Sequence, residues 1–436
     1  MTTSVPAGEA GPQAEPSLAA DARVWFRIGC LSFGGPAGQI ALMQRMLVDE
    51  LRWIAPERFL TGLDLAFLLP GPEAQQLATY VGWTRQGWRG GVVAGALFVL
   101  PGALVMAALS IVYATWGNVP LVAALFSGVR CAVVAIVVEA LLRISSRALR
   151  SRGALFTAGA AFAALALFRA PFPLVVAAAA AAGWLLHRDG SSAAAASGGP
   201  APRRARALAP AAVAAALWLA PIGALFLRLG PDALLTRIAL RFAELAVLSF
   251  GGAYALLSAL ADRAVGDGWL AAAQMADGLA LAETTPGPLI LVLQFVAFVA
   301  AHGSAAGAPV AAGLAASAVG LWALFLPSFV WIFLAAPHLE RVERSPILRR
   351  AVRGVSAAVV GVILHLTVWF ALHVFFAEVG SRRVGPMEIE WPAVASIDLV
   401  ALAIAAVSAL LLFVARLGIA RTLAVAAVLG VAASFV

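Results

Sequence analysis

The chain has 436 residues, of which 62% are hydrophobic and 12% charged, with a mean hydropathy of +0.95 and a net charge of +8. Soluble globular proteins are about 45–50% apolar and about 25% charged, so this composition indicates an all-α polytopic membrane protein and leaves no room for a large soluble enzyme domain. The basic residues are arginines that lie between apolar stretches among interspersed acidic residues. This distribution favours topology signals over nucleic-acid binding.

Residues 1–20 are polar and lack the features of a signal peptide, so we interpret them as a disordered cytoplasmic tail. About 20 apolar residues cross a bilayer. On that scale the chain contains thirteen apolar segments, at 24–44, 60–82, 90–113, 119–142, 154–168, 172–186, 208–229, 240–260, 277–301, 309–335, 351–376, 394–414 and 420–436. Residues 187–207, between the sixth and seventh segments, are of low complexity and are expected to form a flexible cytoplasmic linker.

Clusters of arginine follow the fourth, sixth, tenth and twelfth segments. Cytoplasmic loops of membrane proteins carry an excess of such residues. All four clusters lie in the cytoplasm if the N-terminus is cytoplasmic and the segments cross in turn. The number of crossings is then odd, and the C-terminus is expected on the outer side.

Two motifs occur twice in the same order. Ser32-Phe33-Gly34-Gly35 precedes Pro70-Gly71-Pro72, and Ser249-Phe250-Gly251-Gly252 precedes Pro286-Gly287-Pro288, at offsets of 217 and 216 residues. Pro101 and Gly128-Val129 recur 226 residues later. The pattern predicts two repeats, at 21–186 and 230–436, joined by a transmembrane helix at 208–229. Because seven segments precede the second repeat, it is expected to have inverted topology.

Glycine and proline interrupt a helix at each of these motifs. A helix that restarts after such a break exposes backbone N–H groups and about half a positive charge, which favours an anion. The predicted binding residues are those of the breaks and the polar residues beside them: Ser32, Gly34, Gly35, Pro70, Gly71, Pro72, Gln75, Gln76, Ser249, Gly251, Gly252, Thr284, Thr285, Pro286, Gly287 and Pro288. A simple kink is the alternative, and Ala253 replaces Pro36 in the second copy.

Ionisable residues inside spans are costly and are usually functional. Arg130 is the candidate counter-charge for a bound anion, with a structural pair to a carboxylate such as Glu139 as the alternative. Five carboxylates near the breaks are candidates for proton coupling, or else interfacial or paired groups: Glu73, Glu244, Glu283, Asp64 and Asp277.

The sequence predicts no metal site, no cofactor and no enzymatic activity. The five histidines lack ligand spacing, and the phosphate-binding and dinucleotide-binding motifs that would indicate nucleotide chemistry are absent from the sequence.

The runs Phe26-Arg27-Ile28-Gly29-Cys30-Leu31-Ser32-Phe33-Gly34-Gly35-Pro36 and Leu69-Pro70-Gly71-Pro72, with their counterparts ending at Gly252 and Pro288, resemble the chromate ion transporter family, in its long two-domain type. The resemblance covers the chain beyond the tail and the linker. It implies efflux of chromate from the bacterial cytoplasm across the inner membrane, and hence chromate resistance.

Chromate is a tetrahedral dianion similar to sulfate, so sulfate or another oxyanion stays open as the substrate, and an anion channel as the mechanism. Export is expected to be driven by the membrane potential, by proton antiport, or by both. The expected partners are the oxyanion and the lipid bilayer, without nucleic acid. The oligomeric state is left open, with a homodimer as one option.

Overall fold

The computed structural model describes residues 17–33, 35–117, 119–186, 205–248, 253–305, 307–338, 346–385 and 387–435. The predicted tail lies mostly outside these residues, as do Gly34, most of the linker and the second Ser-Phe-Gly-Gly motif. The described chain is an all-α membrane protein, as predicted. Five helices are long and apolar enough to cross a bilayer, and five shorter helices are also apolar.

The described residues form sixteen α-helices and a small two-stranded sheet. In chain order these are α1 (Leu18–Leu31), α2 (Gly35–Gln44), α3 (Pro56–Leu68), α4 (Glu73–Trp116), α5 (Pro120–Ala148), α6 (Arg152–Phe168), α7 (Phe172–Leu186), α8 (Ala205–Leu229), α9 (Leu234–Leu248), α10 (Ala253–Gly266), α11 (Ala272–Thr284), α12 (Val292–Ser304), α13 (Pro309–Ala335), α14 (Pro346–Phe375), β1 (Val379–Val384), β2 (Met387–Pro392), α15 (Leu399–Ala409) and α16 (Ile419–Ala433). Helices α2 and α15 each continue into a short π-helix, at Arg45–Glu50 and Leu410–Val414.

The elements on either side of α8 follow one another in the same order. Helices α1, α2 and α3 correspond to α9, α10 and α11, and the later pairs are α5 with α14, α6 with α15, and α7 with α16. The 44-residue α4 has non-helical backbone at Gln86 and Gly87. Its two parts correspond to α12 and α13, which are separate helices in the second half.

Both Pro-Gly-Pro motifs interrupt the helices, as expected, but the two pieces run antiparallel and not in line. Gly62 of α3 lies against the ring of Tyr80 in α4, although a continuous helix would separate them by about 27 Å. Gly278 of α11 lies against Phe295 of α12 in the same way. Each Pro-Gly-Pro is therefore the tip of a helical hairpin.

The first Ser-Phe-Gly-Gly segment also turns the chain back. Trp25 of α1 and Trp53, which follows the π-helix after α2, have ring centroids 6.5 Å apart. Their counterparts Phe242 and Trp269 lie 6.4 Å apart. At the open end of the first hairpin, Asp21 accepts hydrogen bonds from Arg85 over 2.9 and 3.0 Å. The apolar segments at 24–44 and 60–82, each predicted from the sequence as one membrane crossing, thus each contain parts of two helices.

Glycines allow the long helices of each half to cross the short helices of the other. A Cβ at Gly128 of α5 would overlap the carbonyl oxygen of Ala426 in α16, beside Gly430. A Cβ at Gly354 of α14 would overlap the backbone of α7 beside Gly183. The Gly-Val pairs that mark the repeat in the sequence therefore mark two equivalent helix crossings.

The small sheet lies between α14 and α15, where the sequence indicated only a loop. Strands β1 and β2 pair antiparallel from Val379 opposite Pro392 to Val384 opposite Met387. The corresponding link in the first half, between α5 and α6, is only residues 149–151. The hairpin is therefore an insertion specific to the second half.

Candidate functional site

The tip of the second Pro-Gly-Pro hairpin is held by the first half of the chain. Gly287 donates its backbone N–H to the carbonyl oxygen of Ser32 over 2.8 Å, and Gln39 Nε2 donates to the carbonyl oxygen of Gly287 over 2.7 Å. Gly287 has a φ of 90°, a left-handed value that side chains with a Cβ rarely adopt. Both backbone groups of this glycine are thus satisfied by the opposite repeat.

Each hairpin tip also packs beside the internal proline of a long helix in the other half. A Cβ at Gly102, which follows Pro101 in α4, would overlap the carbonyl oxygen of Pro286. At the other tip, a Cβ on Gly71 would lie 3.1 Å from Ser328 Oγ, which follows Pro327 in α13. The predicted break residues therefore come together as two reciprocal contacts in the interior.

The amide donors beside the tips, the predicted Gln75 and Gln76 and also Gln294, already donate to backbone carbonyl groups. Gln76 Nε2 donates to Pro70 over 2.6 Å, Gln75 Nε2 to Phe325 over 3.3 Å, and Gln294 Nε2 to Ala103 over 2.9 Å. The hydroxyls behave alike, since Ser32 and Thr285 donate to carbonyl oxygens of their own helices, at 2.6 and 3.1 Å. The Thr284 side chain and residues 249–252 lie outside the described set.

Because the amide N–H groups face carbonyl oxygens, the amide oxygens point away from them. The side-chain oxygens of Gln39, Gln75, Gln76 and Gln294, together with Ser328 Oγ, are buried and have no hydrogen-bond partner among the described residues. An amide oxygen accepts and does not donate. The amide side chains at the tips therefore offer acceptors. The donors available to an anion are the unpartnered hydroxyl of Ser328 and the backbone N–H groups at the start of α4, where the N-cap residue Pro72 makes no side-chain hydrogen bond.

Arg130, which is partly exposed, forms an ion pair with the buried Asp277 and not with Glu139. Arg130 Nε and Nη2 donate to the two carboxylate oxygens over 2.8 and 3.0 Å, and the hydroxyl of Tyr113 donates to Asp277 over 2.8 Å. Glu139 instead pairs with Arg143 one turn along α5. Two of the predicted functional groups, Arg130 and Asp277, thus neutralise each other and link α5 to α11.

The remaining candidate carboxylates lie in different surroundings. Glu73 is the first residue of α4 and is 6% exposed, and Glu283 is 3% exposed near the end of α11. Glu244 forms ion pairs with Arg263 over 2.9 Å and Arg241 over 3.3 Å. Asp64 is exposed on α3. Glu73 and Glu283 are therefore the buried carboxyl groups nearest the tips.

A cavity of about 670 Å³ lies beside the first Ser-Phe-Gly-Gly turn and the end of α11. Phe33, beside the first Ser-Phe-Gly-Gly turn, and Glu283, near the second Pro-Gly-Pro, lie on its wall. Its basic lining consists of Arg143, Arg416 and Arg421. Within the described part of the chain, Arg416 and Arg421 make no ion pair, whereas Arg143 pairs with Glu139. With Glu283 on the same wall, the three arginines and two glutamates of the lining give one net positive charge. We call it the arginine cavity.

Sequence reasoning missed the contact of Gln39 and the grouping of arginines around this cavity. Arg416 and Arg421 fit the positive-inside pattern and were interpreted only as topology signals. Gln39 was visible as an amide four residues after a Gly-Gly pair, but its partner Gly287 lies 248 residues away. Such a contact leaves no local signal in a single sequence.

A family model described as chromate transporter matches residues 21–184 and 236–432. The chain is 35% identical to a chromate transport protein of Pseudomonas aeruginosa over 342 residues, which cover 78% of this chain and 77% of the relative. It is 28% identical to a chromate transport protein of Cupriavidus metallidurans (78% and 79% covered) and 26% identical to an uncharacterized transporter of Methanocaldococcus jannaschii (80% and 83% covered). No solved structure matches the chain.

Proposed function

We propose a function on the premise that the chain belongs to the chromate transporter family, which is a family of transporters and not of enzymes. In this proposal the chain exports chromate from the cytoplasm and so confers chromate resistance. The observation that carries the proposal is the arginine cavity. A tetrahedral dianion is bound by guanidinium groups that have no carboxylate partner, and Arg416 and Arg421 meet that condition within the described residues. Its wall includes Glu283, three residues before the second Pro-Gly-Pro motif, and the anion is proposed to pass from there to the hairpin tips.

The break residues predicted from sequence are proposed as the narrow part of the path. Their backbone N–H groups, at the start of α4 and its counterpart, suit an oxyanion better than their side chains do, because the amide donors are already used. Arg130, paired with Asp277, is proposed to act on the anion only through a change in that pair.

The two repeats are proposed to have inverted topology, with domain bounds of 21–186 and 230–436, a linker at 187–207 and a connecting helix at 208–229. Two observations support this: the matched order of elements, and the reciprocal contact of each hairpin tip with the other half. The hairpins are then re-entrant, and each repeat enters the bilayer from its own side. The N-terminus lies in the cytoplasm and the C-terminus in the periplasm of a bacterial inner membrane.

Export of a dianion is favoured by the electrical potential. A dianion that leaves a negative interior releases about 4.6 kcal/mol per 100 mV, twice the value for one charge. The potential alone is therefore sufficient to drive transport. Proton antiport is a second source of energy, and Glu73 and Glu283 are the proposed carriers because they are buried beside the tips. A homodimer stays an open prediction for the assembly.

The test is uptake of radiolabelled chromate by inside-out vesicles, whose outer bath faces the cytoplasmic side of the protein. Removal of two charges that face a dianion is expected to raise KM by roughly tenfold in the Arg416→Gln/Arg421→Gln variant. Arg150→Gln, an exposed arginine outside the cavity, is the control. An unchanged KM in the double variant refutes the site, and stronger competition by sulfate or molybdate than by chromate itself reassigns the substrate.

A further inference from the structure

A second cavity, of about 510 Å³, lies between α6, α10, α14 and strand β2. Its wall includes Leu165, Arg169, Phe172, His365 and Glu388. None of these residues belongs to the site described above. We call it the hairpin cavity, after the strand that closes it.

The two cavities are built from equivalent positions of the two halves. Six residues of the hairpin cavity lie 247 positions before residues of the arginine cavity, and two lie 226 positions after such residues. The pairs are Leu165 and Leu412, Ala166 and Phe413, Arg169 and Arg416, Ala170 and Leu417, Pro171 and Gly418, Phe172 and Ile419, His365 and Glu139, and Trp369 and Arg143. Arg169 and Arg416 even share a left-handed backbone, with φ of 46° and 52°, which is rare for residues other than glycine.

The equivalent cavities differ in charge. Arg416 has no ion pair among the described residues, whereas Arg169 lies 3.3 Å from Glu388 and 3.9 Å from Glu390. The other arginine of the hairpin cavity, Arg263, pairs with Glu244 over 2.9 Å. Positions that carry Arg143 and Arg421 in one cavity carry Trp369 and Leu174 in the other half. The hairpin cavity therefore has no uncompensated arginine in the described structure.

The neutralising carboxylates come from the inserted β-hairpin. Glu388 and Glu390 both lie on β2, and the first half has only residues 149–151 at the corresponding place. The insertion thus adds two negative charges to one cavity of an otherwise matched pair. Without it, both cavities would present an arginine at the same turn.

We propose that the hairpin cavity is the release compartment for the oxyanion, and that Glu388 and Glu390 expel the anion by competing with it for Arg169. This inference rests on the proposed export function, in which the hairpin cavity faces the outside. An exporter needs a cytoplasmic face that attracts the anion and an outer face that does not retain it. Ion pairs between partly exposed side chains are weak, so Arg169 exchanges readily between the carboxylates and a passing anion.

The experiment compares chromate uptake by right-side-out and inside-out vesicles from the same cells. In the Glu388→Gln/Glu390→Gln variant, Arg169 is freed, and the KM for chromate at the outer face is expected to fall by about twofold to tenfold. The KM at the cytoplasmic face stays unchanged, while the maximal export rate falls because release is slower. Glu378→Gln removes one carboxylate of the same loop outside the cavity wall and is the control for each of the single variants Glu388→Gln and Glu390→Gln.

Arg169→Gln provides the opposite change. It is expected to raise the KM at the outer face and to abolish the effect of the carboxylate variants when combined with them. Thermal unfolding in detergent identifies any variant that has lost its fold. If wild-type protein transports chromate but the carboxylate variant alters neither KM nor rate, the release compartment is refuted. If wild-type protein takes up no chromate in either vesicle, the proposed function itself fails.

Discussion

Gly287 in the second half of the chain donates its N–H to the carbonyl oxygen of Ser32 in the first, over 2.8 Å. The contact joins a Pro-Gly-Pro tip to a Ser-Phe-Gly-Gly turn, the two motifs that each repeat carries. At this contact, residues of both halves together form the interior of the protein. Neither repeat therefore completes its own tip, and changes at these residues test the architecture directly.

Substitution of Gly287 by Ala is expected to destabilise the protein by about 1–3 kcal/mol. Its φ of 90° is strained for any residue with a Cβ, and that atom would lie 3.3 Å from the Cα of Gly102. Thermal unfolding in detergent measures the loss, and chromate uptake is expected to fall with it. Gly223→Ala on α8 is the control, because a Cβ there meets no neighbouring atom. Equal stability of the two variants would contradict the close approach at the tip.

Gln39→Leu tests the hydrogen bond that closes the same tip. Leu256 occupies the corresponding position of the second half, so the substitution introduces a side chain that the equivalent position already carries. The carbonyl oxygen of Gly287 loses its buried donor, at an expected cost of about 1–3 kcal/mol. Gln44→Leu, on the exposed end of α2, should change the unfolding temperature little. A stable Gln39→Leu protein would mean that water replaces the amide.

How far the sequence determined this site depends on the range of the contact. The Pro-Gly-Pro motifs are a local signal, and they interrupt the helices as predicted. The Gly-Val pairs were a periodic signal of the repeat, and their place at two helix crossings was not predicted. A break does not specify direction, however, since Gly and Pro serve equally in a helix that restarts and in one that turns back. The packing of Gly62 on Tyr80 decides between them, and that contact depends on tertiary structure.

The pairing of Arg130 illustrates the same limit for charges. From sequence, Arg130 and Asp277 were separate candidates, one for anion binding and one for proton coupling. They lie 147 residues apart and meet only when α5 packs on α11. Both residues were noticed because they are ionisable and lie inside apolar segments, but that position does not identify a partner. A single chain therefore predicts that such residues matter without predicting which ones belong together.

Neutralising either Arg130 or Asp277 alone is expected to destabilise the protein more than neutralising both. Arg130→Gln leaves the buried Asp277 carboxylate unpaired, which costs about 3–5 kcal/mol. Asp277→Asn leaves the partly exposed Arg130 unpaired and is expected to cost less. The Arg130→Gln/Asp277→Asn variant removes both charges and should unfold at a higher temperature than either single variant. The exposed pair Arg143 and Glu139 provides the control cycle, in which each step should cost at most about 1 kcal/mol. Additive losses at Arg130 and Asp277 would contradict a direct pair.

The helix crossings at Gly128 and Gly354 predict that substitution of either glycine by alanine lowers the stability of the protein by a similar amount. Ala at Gly128 or at Gly354 forces α5 away from α16, or α14 away from α7, because each Cβ would overlap a backbone carbonyl oxygen. Overpacking of this kind costs about 1–3 kcal/mol. Unfolding temperatures of the two variants should fall by similar amounts, and that of Gly159→Ala, where a Cβ meets no neighbour, should not. A loss confined to one half would mean that the repeats do not use these crossings equivalently.

Glu73 is the carboxylate whose removal separates the two proposed energy sources. It is the first residue of α4, next to the Pro-Gly-Pro tip, and it makes no ion pair within the described residues. If it carries the coupled proton, Glu73→Gln abolishes the stimulation of chromate transport by a pH gradient and leaves transport driven by the potential intact. Inside-out vesicles with each gradient imposed separately measure both components. Asp64→Asn, which removes an exposed carboxylate from α3 of the same hairpin, should leave both unchanged. A Glu73→Gln protein that still responds to the pH gradient would assign the coupled proton to another carboxylate, such as Glu283. A wild-type protein that does not respond to the pH gradient would leave the potential as the only driving force.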